Sequence, residues 1–182
     1  MPRFLLFALL CLGIPAAQAD DKAALWQSLR AGEAVALIRH AEAPGNFDPP
    51  GFEFGDCGTQ RNLSEAGRAQ ARALGDEFRR HGIRDALIYS SQWCRCLDTA
   101  AEMRLGPVEP LPALNSLHHE RADAEAQTAA VRRLIREHRD RPLLLVTHQV
   151  NIARLAGTHA GSGEVIVVRP EGERLSVLGR LP

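Results

Sequence analysis

The feature that most constrains the fold is a set of short apolar runs that lack any alternation of apolar and polar residues. They read AVALI from residue 34, ALIYS from residue 86, PLLLV from residue 142 and EVIVV from residue 164. Runs of this length are typical of strands buried on both faces, and such strands belong to parallel sheets covered by helices. The sequence therefore predicts an α/β fold, with a mostly parallel sheet and helices on both faces.

The segments between these runs carry helical patterns. Ser64 is a good N-cap for the second predicted helix, in which Ala69, Leu74 and Phe78 recur at helical spacing. VEPLPAL, from residue 108, is predicted to be a short edge strand limited by its prolines, and LSVLGRL, from residue 175, is predicted to pair with EVIVV. The predicted helices are DKAALWQSLRAG from residue 21, EAGRAQARALGDEFRRHG from residue 65, QWCRCLDTAAEMRLG from residue 92 and AEAQTAAVRRLIREHRD from residue 124.

Residues 1–19 have the pattern of a cleaved signal peptide. A basic lead precedes an apolar stretch, Phe4–Ile14, and Ala17-Gln18-Ala19 has the A-x-A form of a signal-peptidase site. The apolar stretch is shorter than the ~20 residues that a bilayer crossing needs, so no stable membrane insertion is expected. The alternative is a buried N-terminal helix. We expect a periplasmic protein whose residues 20–182 form a single domain.

The charge of the chain is balanced. The whole chain has 22 basic and 22 acidic residues, and removal of the leader takes away only Arg3, which leaves a net charge near −1. This balance gives no reason to expect nucleic acid or an anionic membrane as a partner. The oligomeric state is left open.

Three cysteines remain after removal of the leader: Cys57, Cys94 and Cys96. In an oxidising compartment they favour one bridge, from Cys57 to either Cys94 or Cys96, with one thiol left over. A metal site at C-x-C is less favoured, because no second Cys/His pair stands at zinc-ligand spacing.

Two of the predicted strands end in histidine. Arg39 and His40 follow the first strand, and His148 follows PLLLVT, while Arg95 lies in the first turn of the helix after ALIYS. Ligands of open α/β sheets bind outside the carboxyl ends of the strands. A guanidinium group can bind two phosphate oxygens at once, and an imidazole can attack phosphorus. This set of residues therefore suits the binding and transfer of a phosphoryl group. The alternatives are a solvated corner at Arg39 and His40, and surface pairing of Arg95 with Asp98 or Asp56.

Four motifs in this order resemble those of the histidine phosphatase superfamily. R-H-A-E-x-x-x-N resembles the family's R-H-G-E-x-x-x-N, with alanine in place of glycine, and V-T-H-Q resembles V-[TS]-H-G, with glutamine in place of glycine. The other two resemble L-[ST]-x-x-G-x-x-Q-A and S-x-x-x-R-x-x-x-T-A. The motifs occupy residues 39–46, 63–71, 91–100 and 146–152.

The resemblance implies a phosphoglycerate mutase-like fold and a phosphohistidine mechanism. His40 would be the nucleophile, Arg39 and Arg95 would bind the phosphoryl oxygens, and His148 would bind them and stabilise the transition state. No metal and no cofactor is implied. His40 must attack through one neutral nitrogen, so its other nitrogen is expected to meet an acceptor, such as a backbone carbonyl.

The general acid is the least determined part of the site. The segment ALNSLHHERADAEAQ lacks the family's L-x-E arrangement. Glu120 is preferred because Asp123 is expected to cap the following helix, while His118 and His119 are alternatives. Both carboxylates could equally be solvated residues of the helix start.

The long loop after the first strand supplies further candidates. Asn46, Gln60 and Arg61 are expected to contact substrate. Three aromatic residues of this loop are expected either to shape a wall of the pocket or to form a small satellite core: Phe47, Phe52 and Phe54.

The sequence therefore predicts an exported phosphomonoesterase that acts on a small phosphorylated substrate. A sugar phosphate, a lipopolysaccharide-core heptose phosphate, a nucleotide or a phosphoprotein are all conceivable, and a mutase of glycolytic phosphoglycerates is less expected outside the cytoplasm. The alternative is a non-catalytic module that binds a phosphorylated ligand on the same fold.

The signal peptide leads to a direct prediction. Full-length protein expressed with its leader should be recovered from the periplasm with Asp20 at its N-terminus, because signal peptidase cleaves after A-x-A. N-terminal sequencing of the periplasmic fraction measures this. Intact Met1 on that material would contradict the cleavage prediction.

Overall fold

The computed structural model describes residues 16–118, 123–138 and 140–182, with side chains from Asp21 onward. No helix in this part of the chain is long and apolar enough to cross a membrane. Short 3-10 turns lie at Cys57–Thr59 and Pro112–Leu114. The helices are α1 (Ala16–Arg30), α2 (Glu65–Arg80), α3 (Cys94–Met103), α4 (Ala124–Glu137) and α5 (Gln149–Ala156). The strands are β1 (Val35–Arg39), β2 (Leu87–Ser90), β3 (Val108–Pro110), β4 (Leu143–Thr147), β5 (Val165–Glu171) and β6 (Arg174–Leu181).

The six strands form one sheet in the order β3-β2-β4-β1-β5-β6. The pairs β3–β2, β2–β4 and β4–β1 are parallel, and β1–β5 and β5–β6 are antiparallel. The prediction of a mostly parallel sheet is therefore confirmed. The two antiparallel strands close one edge, where EVIVV and LSVLGRL pair as predicted.

Helices cover both faces of the sheet. In β1, Ala36 and Ile38 pack with α1, α2 and α3, whereas Val35 and Leu37 pack with α4 and α5. The same division by alternate residues holds in β4 and β5. Because residues 35–38, 143–146 and 165–168 of β1, β4 and β5 all face one core or the other, these segments need apolar residues throughout, which explains why their sequences do not alternate.

The structure corrects the predicted elements in three places. A helix that was not predicted, α5, follows β4 directly; its eight residues bury only Asn151, Ile152 and Leu155, too few to give a clear periodicity. In α2 the buried alanine is Ala71, while the predicted Ala69 is exposed. The segment VEPLPAL is only partly a strand, because a 3-10 turn begins at its second proline.

The cysteine alternatives are resolved in favour of Cys57–Cys94. This bridge ties the loop after β1 to the first turn of α3, and Cys96 is left as a buried free thiol. Burial raises the pKa of the Cys96 thiol to about 12, so this cysteine stays protonated. The disulfide therefore holds the loop on the helix that bears Arg95.

The disulfide leads to a stability prediction. Replacing Cys57 by serine should lower the free energy of unfolding by about 2–4 kcal/mol, because the bridge constrains a long loop of the unfolded chain. Urea unfolding of the purified variant measures the loss, with Cys96→Ala as a variant that keeps the bridge. Three reactive thiols in denatured wild-type protein purified from an oxidising compartment would contradict the assignment.

Candidate active site

The register between β1 and β4 brings two histidines together. Arg39 is directly opposite Thr147, so that His40 and His148 leave neighbouring strands side by side. The amide of His40 donates to the carbonyl of Thr147 at 3.0 Å, which continues the ladder by one residue. The two imidazole centroids are 5.6 Å apart, and both rings are buried. Two histidines distant in sequence thus form one pair.

The end of β2 delivers an arginine to the same place. The amide of Ser91 donates to Val146 of β4, and α3 begins three residues later with Arg95 in its first turn. Thr99, one turn further along α3, accepts the amide of Ala41 at 2.9 Å and donates to the carbonyl of Arg95 at 2.7 Å. The helix that carries Arg95 is therefore fixed directly to the turn that carries His40.

The motif at the start of α2 supports this turn from the other side. Ser64 caps α2 by accepting the amide of Gly67 at 2.9 Å, and its hydroxyl donates to the carboxylate of Glu42. Gln70 accepts the amide of Glu42 and donates to the carbonyl of Ser162. A side chain at Gly67 would meet the Glu42 carbonyl oxygen at 2.0 Å, so only glycine permits the contact. These motif residues hold the backbone that positions His40.

The tautomer of His40 follows from its hydrogen bond. Its Nδ1 lies 2.8 Å from the carbonyl oxygen of Ala41, which can only accept, so Nδ1 carries the proton and Nε2 keeps a lone pair. Burial lowers the pKa of His40 to about 3; the Ala41 hydrogen bond opposes this shift, and the positive charge of Arg95 adds to it. The imidazole is therefore neutral at physiological pH. The expected backbone acceptor is present.

His148 is neutral for similar reasons. Burial lowers its pKa well below the ordinary value, and the nearby charge of Arg95 and the ring of His40 lower it further. Its Nε2 lies 2.8 Å from the hydroxyl of Ser91 and 3.5 Å from Sγ of Cys96. Its hydrogen bonds therefore lie on the side of Nε2, away from Nδ1.

Three guanidinium groups line the cavity beside the histidines: Arg39, Arg61 and Arg95. Each has a buried Nε without a hydrogen-bond partner among the described residues. Within the described part of the chain, Arg39 and Arg61 donate only to backbone carbonyls, those of Ala160 and Ala43, and burial lowers the pKa of both. Buried donors without partners are costly, and an anion between them would satisfy them.

Asp48 is a site residue that the sequence analysis missed. Its carboxylate accepts from Arg95 at 2.7 and 3.3 Å, from the Trp93 indole at 3.0 Å and from the Arg61 amide at 3.0 Å. Burial by itself would raise the pKa of Asp48, but the hydrogen bond from Arg95, followed by that from Arg61, leaves it lowered. Asp48 is therefore ionised, and it neutralises one of the three cations.

The predicted surface alternatives for Arg95 are wrong. Asp98 pairs with Arg68 at 2.7 Å, and Asp56 accepts the amide of Gly58 in the 3-10 turn at 2.9 Å. Arg95 is only 4% exposed. The sequence feature that pointed to a partner for Arg95 was its position, a cation in the first turn of a helix. That position indicates a nearby anion but does not identify it as Asp48.

The cavity has a volume of about 420 Å³ and one aromatic wall. Phe52 stacks on Trp93 with centroids 4.9 Å apart, and Phe54 meets both rings edge-on. Phe47 is 74% exposed at the rim, 6.2 Å from the ring of His118. Each expectation holds for part of the loop: Phe52 and Phe54 form a small cluster with Trp93, whereas Phe47 and Phe52 line the cavity.

Asn46 and Arg61 line the cavity, but Gln60 does not. Gln60 is buried, and its side chain accepts the amide of Cys94 and donates to the carbonyl of Glu53, each at 2.9 Å. The predicted substrate contact is therefore corrected. Both polar atoms of Gln60 are used to join the loop to the start of α3.

A model of the histidine phosphatase superfamily (branch 1) matches residues 35–128, which is more than half of the chain. The chain belongs to the histidine phosphatase superfamily. A comparison with curated proteins found no match.

Solved structures of phosphatases share the fold. The protein histidine phosphatase SixA complexed with tungstate superposes with a TM-score of 0.60 at 17% identity, covering 81% of this chain and 96% of that chain. Mycobacterial glucosyl-3-phosphoglycerate phosphatase gives 0.56 at 20%, with 80% and 96% covered. A phosphoserine phosphatase mutant from Entamoeba histolytica, in complex with phosphoserine, gives 0.55 at 12%, with 81% and 95% covered. The fold is the phosphoglycerate mutase-like one that the motifs implied.

The candidates for the general acid differ in their position relative to the cavity. Glu120, the preferred residue, and His119 lie outside the described residues. His118 lines the cavity, whereas Asp123 lies outside the lining. Asp123 occupies the N-cap position of α4 as expected but makes no side-chain cap hydrogen bond.

The described residues hold no cluster of three or more His, Cys, Asp or Glu side chains that could bind a metal ion. The cations nearest to His40 are the three arginines. We therefore assign the positive charge around His40 to these guanidinium groups.

The lowered histidine pKa values lead to a prediction about stability. Both His40 and His148 titrate near 6.5 when unfolded, so below that pH the unfolded chain binds protons that the native protein does not. The free energy of unfolding should fall as the pH drops below about 6.5, by up to ~1.4 kcal/mol per pH unit for each histidine, and the contribution of His40 should extend down to a pH of about 3.

Urea unfolding at pH 7 and at pH 5 measures this slope. His40→Asn should reduce it, because one of the two groups no longer titrates. The same slope in the variant and in the wild type would contradict the assignment of a neutral buried His40.

Proposed function

We propose that the chain is an exported phosphomonoesterase that acts through a phosphohistidine intermediate at His40. The observation that carries the proposal is the nucleophile: the Nδ1–H of His40 is held by the Ala41 carbonyl, so its Nε2 lone pair is free at neutral pH. This nitrogen belongs to a cavity with three guanidinium groups. A neutral nucleophile among cations suits a phosphate dianion.

The charges of the cavity favour binding of the phosphoryl group. Arg39 and Arg61 have no carboxylate partner among the described residues, so their charge is available to a ligand. Arg95 is held in place by Asp48, which orients its guanidinium while its Nε remains unpaired. Charge-assisted hydrogen bonds of this kind are worth roughly 1.5–3 kcal/mol each.

In the first step, Nε2 of His40 attacks phosphorus and the bond from phosphorus to the leaving oxygen breaks. The positive charge that develops on the ring is stabilised through the Nδ1–H bond to Ala41. Arg39, Arg61, Arg95 and His148 stabilise the charge on the phosphoryl oxygens. In the second step, water attacks phosphorus, the P–N bond breaks, and neutral His40 and phosphate are released.

We propose Glu120 as the acid that protonates the leaving oxygen and then takes the proton from water. It follows His118, a residue of the cavity lining, by two positions, and Asp48 is excluded because it is ionised and fully hydrogen-bonded. Glu120→Gln should slow substrates with poor leaving groups by roughly 100- to 10,000-fold. An equal loss on p-nitrophenyl phosphate, whose leaving group scarcely needs a proton, would move the role to His118, His119 or Asp123.

The substrate that we propose is a small phosphoester such as a sugar phosphate or a lipopolysaccharide-core phosphate. A cavity of about 420 Å³ falls in the range of small-molecule sites. The names of the related structures include glucosyl-3-phosphoglycerate, phosphoserine and phosphohistidine, which share only the phosphoryl group. We propose that catalysis is independent of metal, because three guanidinium groups beside His40 would repel a cation.

A periplasmic location is supported by two features. The leader pattern of residues 1–19 is one, and the Cys57–Cys94 disulfide is the other, because such bonds persist in oxidising compartments. The free thiol, Cys96, is buried and protonated, so it is protected from exchange with the bridge.

The proposal predicts metal-independent turnover. The mature protein should hydrolyse p-nitrophenyl phosphate in the presence of a chelator, and His40→Ala should abolish the activity because the nucleophile is lost. The release of p-nitrophenol measures the rate. His81→Ala is the matched control, since His81 packs on Trp26 and lies outside the cavity lining.

Turnover by His40→Ala at a near-normal rate would contradict the proposal. Binding of inorganic phosphate by the wild type, without turnover of any phosphoester at any pH, would instead support the non-catalytic binding module.

A further inference from the structure

Ser91 is a buried residue to which the mechanism above assigns no role. Its side chain has no exposed surface, and its hydroxyl oxygen lies 2.8 Å from Nε2 of His148. It also lies 3.3 Å from Oδ1 of Asn115, a residue of the segment that follows β3. The hydroxyl thus stands between an imidazole and an amide.

The orientation of the Asn115 amide is fixed by its neighbour. The backbone N–H of Gln92 can only donate, and it lies 2.9 Å from Oδ1, while Nδ2 of Asn115 donates to the side-chain oxygen of Gln92 at 2.9 Å. The atom that faces Ser91 is therefore an acceptor. The Asn115 backbone is held in turn by Asn151 of α5 at 2.7 Å.

A neutral His148 allows two arrangements of the Ser91 hydroxyl: Ser91 donates to Nε2, which places the imidazole proton on Nδ1, or Nε2–H donates to Ser91, whose proton turns to Oδ1 of Asn115. We infer the first, because the 2.8 Å from the hydroxyl to Nε2 is a normal hydrogen-bond distance, whereas the 3.3 Å to Oδ1 is long for an O–H···O bond. When His148 is an imidazolium, Nε2–H donates to Ser91, whose proton turns to Oδ1 of Asn115. Cys96, also near Nε2, does not compete, because a thiol is a weak hydrogen-bonding group.

We propose that Ser91, backed by Asn115, is a positioning residue that sets the tautomer of His148 so that Nδ1 carries the proton. Nδ1 has no hydrogen-bond partner among the described residues, and His148 lines the cavity. A proton on Nδ1 gives the phosphoryl oxygens a donor, whereas a lone pair there would repel them. The relay to Asn115 keeps every group satisfied if His148 gains a proton during the reaction.

The kinetic part of this inference rests on the proposed phosphatase function, whereas the tautomer is a property of the free protein. The ¹⁵N shifts of the His148 imidazole report the tautomer directly, with the signal assigned through its loss in His148→Gln. In the wild type we expect a protonated Nδ1 and an unprotonated Nε2. A protonated Nε2 in the neutral ring would overturn the inference without any further variant.

The variant Ser91→Ala is compared with Ser90→Ala. Ser90 is equally buried, but its hydroxyl donates to the Ser91 carbonyl and does not contact His148. Ser91→Ala should abolish the single tautomer and lower kcat on p-nitrophenyl phosphate by about 100-fold, the scale for losing one donor to the developing charge. KM should change far less, and Ser90→Ala should keep both the tautomer and kcat.

Equal kcat values in the two serine variants, with the His148 tautomer unchanged, would overturn the inference while leaving the phosphatase function intact. Absence of turnover in the wild type would instead count against the proposed function, and the ¹⁵N shifts would still decide the tautomer.

Discussion

The parallel pairing of β1 with β4 is the constraint on which the site depends. Its register puts Arg39 opposite Thr147. A slip of one residue would separate His40 from His148 and would move the side chains of the slipped strand to the opposite face of the sheet. Both strands are buried on both faces, so the apolar cores above and below the sheet lock this register. The pairing of the two imidazoles is thus a consequence of the packing of the whole domain.

Burial then determines the chemistry of the site. It keeps both imidazoles neutral, and it leaves the Nε donors of three guanidinium groups without a partner among the residues that the structure describes. Within that part of the chain, only Arg95 is paired with a carboxylate, that of Asp48. The partly buried guanidinium groups of Arg39 and Arg61 are unfavourable until an anion enters, because charges removed from water need partners. In the proposed function, a bound phosphoryl group would pair with these cations, and part of the free energy that the fold gives up here would be recovered on binding.

The sheet, most helices and the strand-end residues were predictable, because they follow from local periodicity and from the rule that strand ends meet at one edge. His40 and Arg95 belong to that class. Asp48 and Gln60 do not: each lies in a long irregular loop, and its partners depend on how the Cys57–Cys94 bridge folds that loop onto α3. Local sequence patterns carry no information about contacts between such distant segments. The sequence therefore indicated that this loop forms a pocket wall, but it did not indicate the hydrogen bonds of Asp48 and Gln60.

The most direct test of the central claim is chemical trapping of the intermediate. Wild-type protein mixed with ³²P-labelled substrate and quenched rapidly without acid should carry a label that survives alkali and is released by acid, as a phosphoramidate on His40 requires. Peptide mapping should locate the label on the segment that contains Arg39 and His40. A label that is lost in alkali, or turnover that proceeds while no protein-bound phosphate can be trapped, would contradict the claim that His40 is the nucleophile.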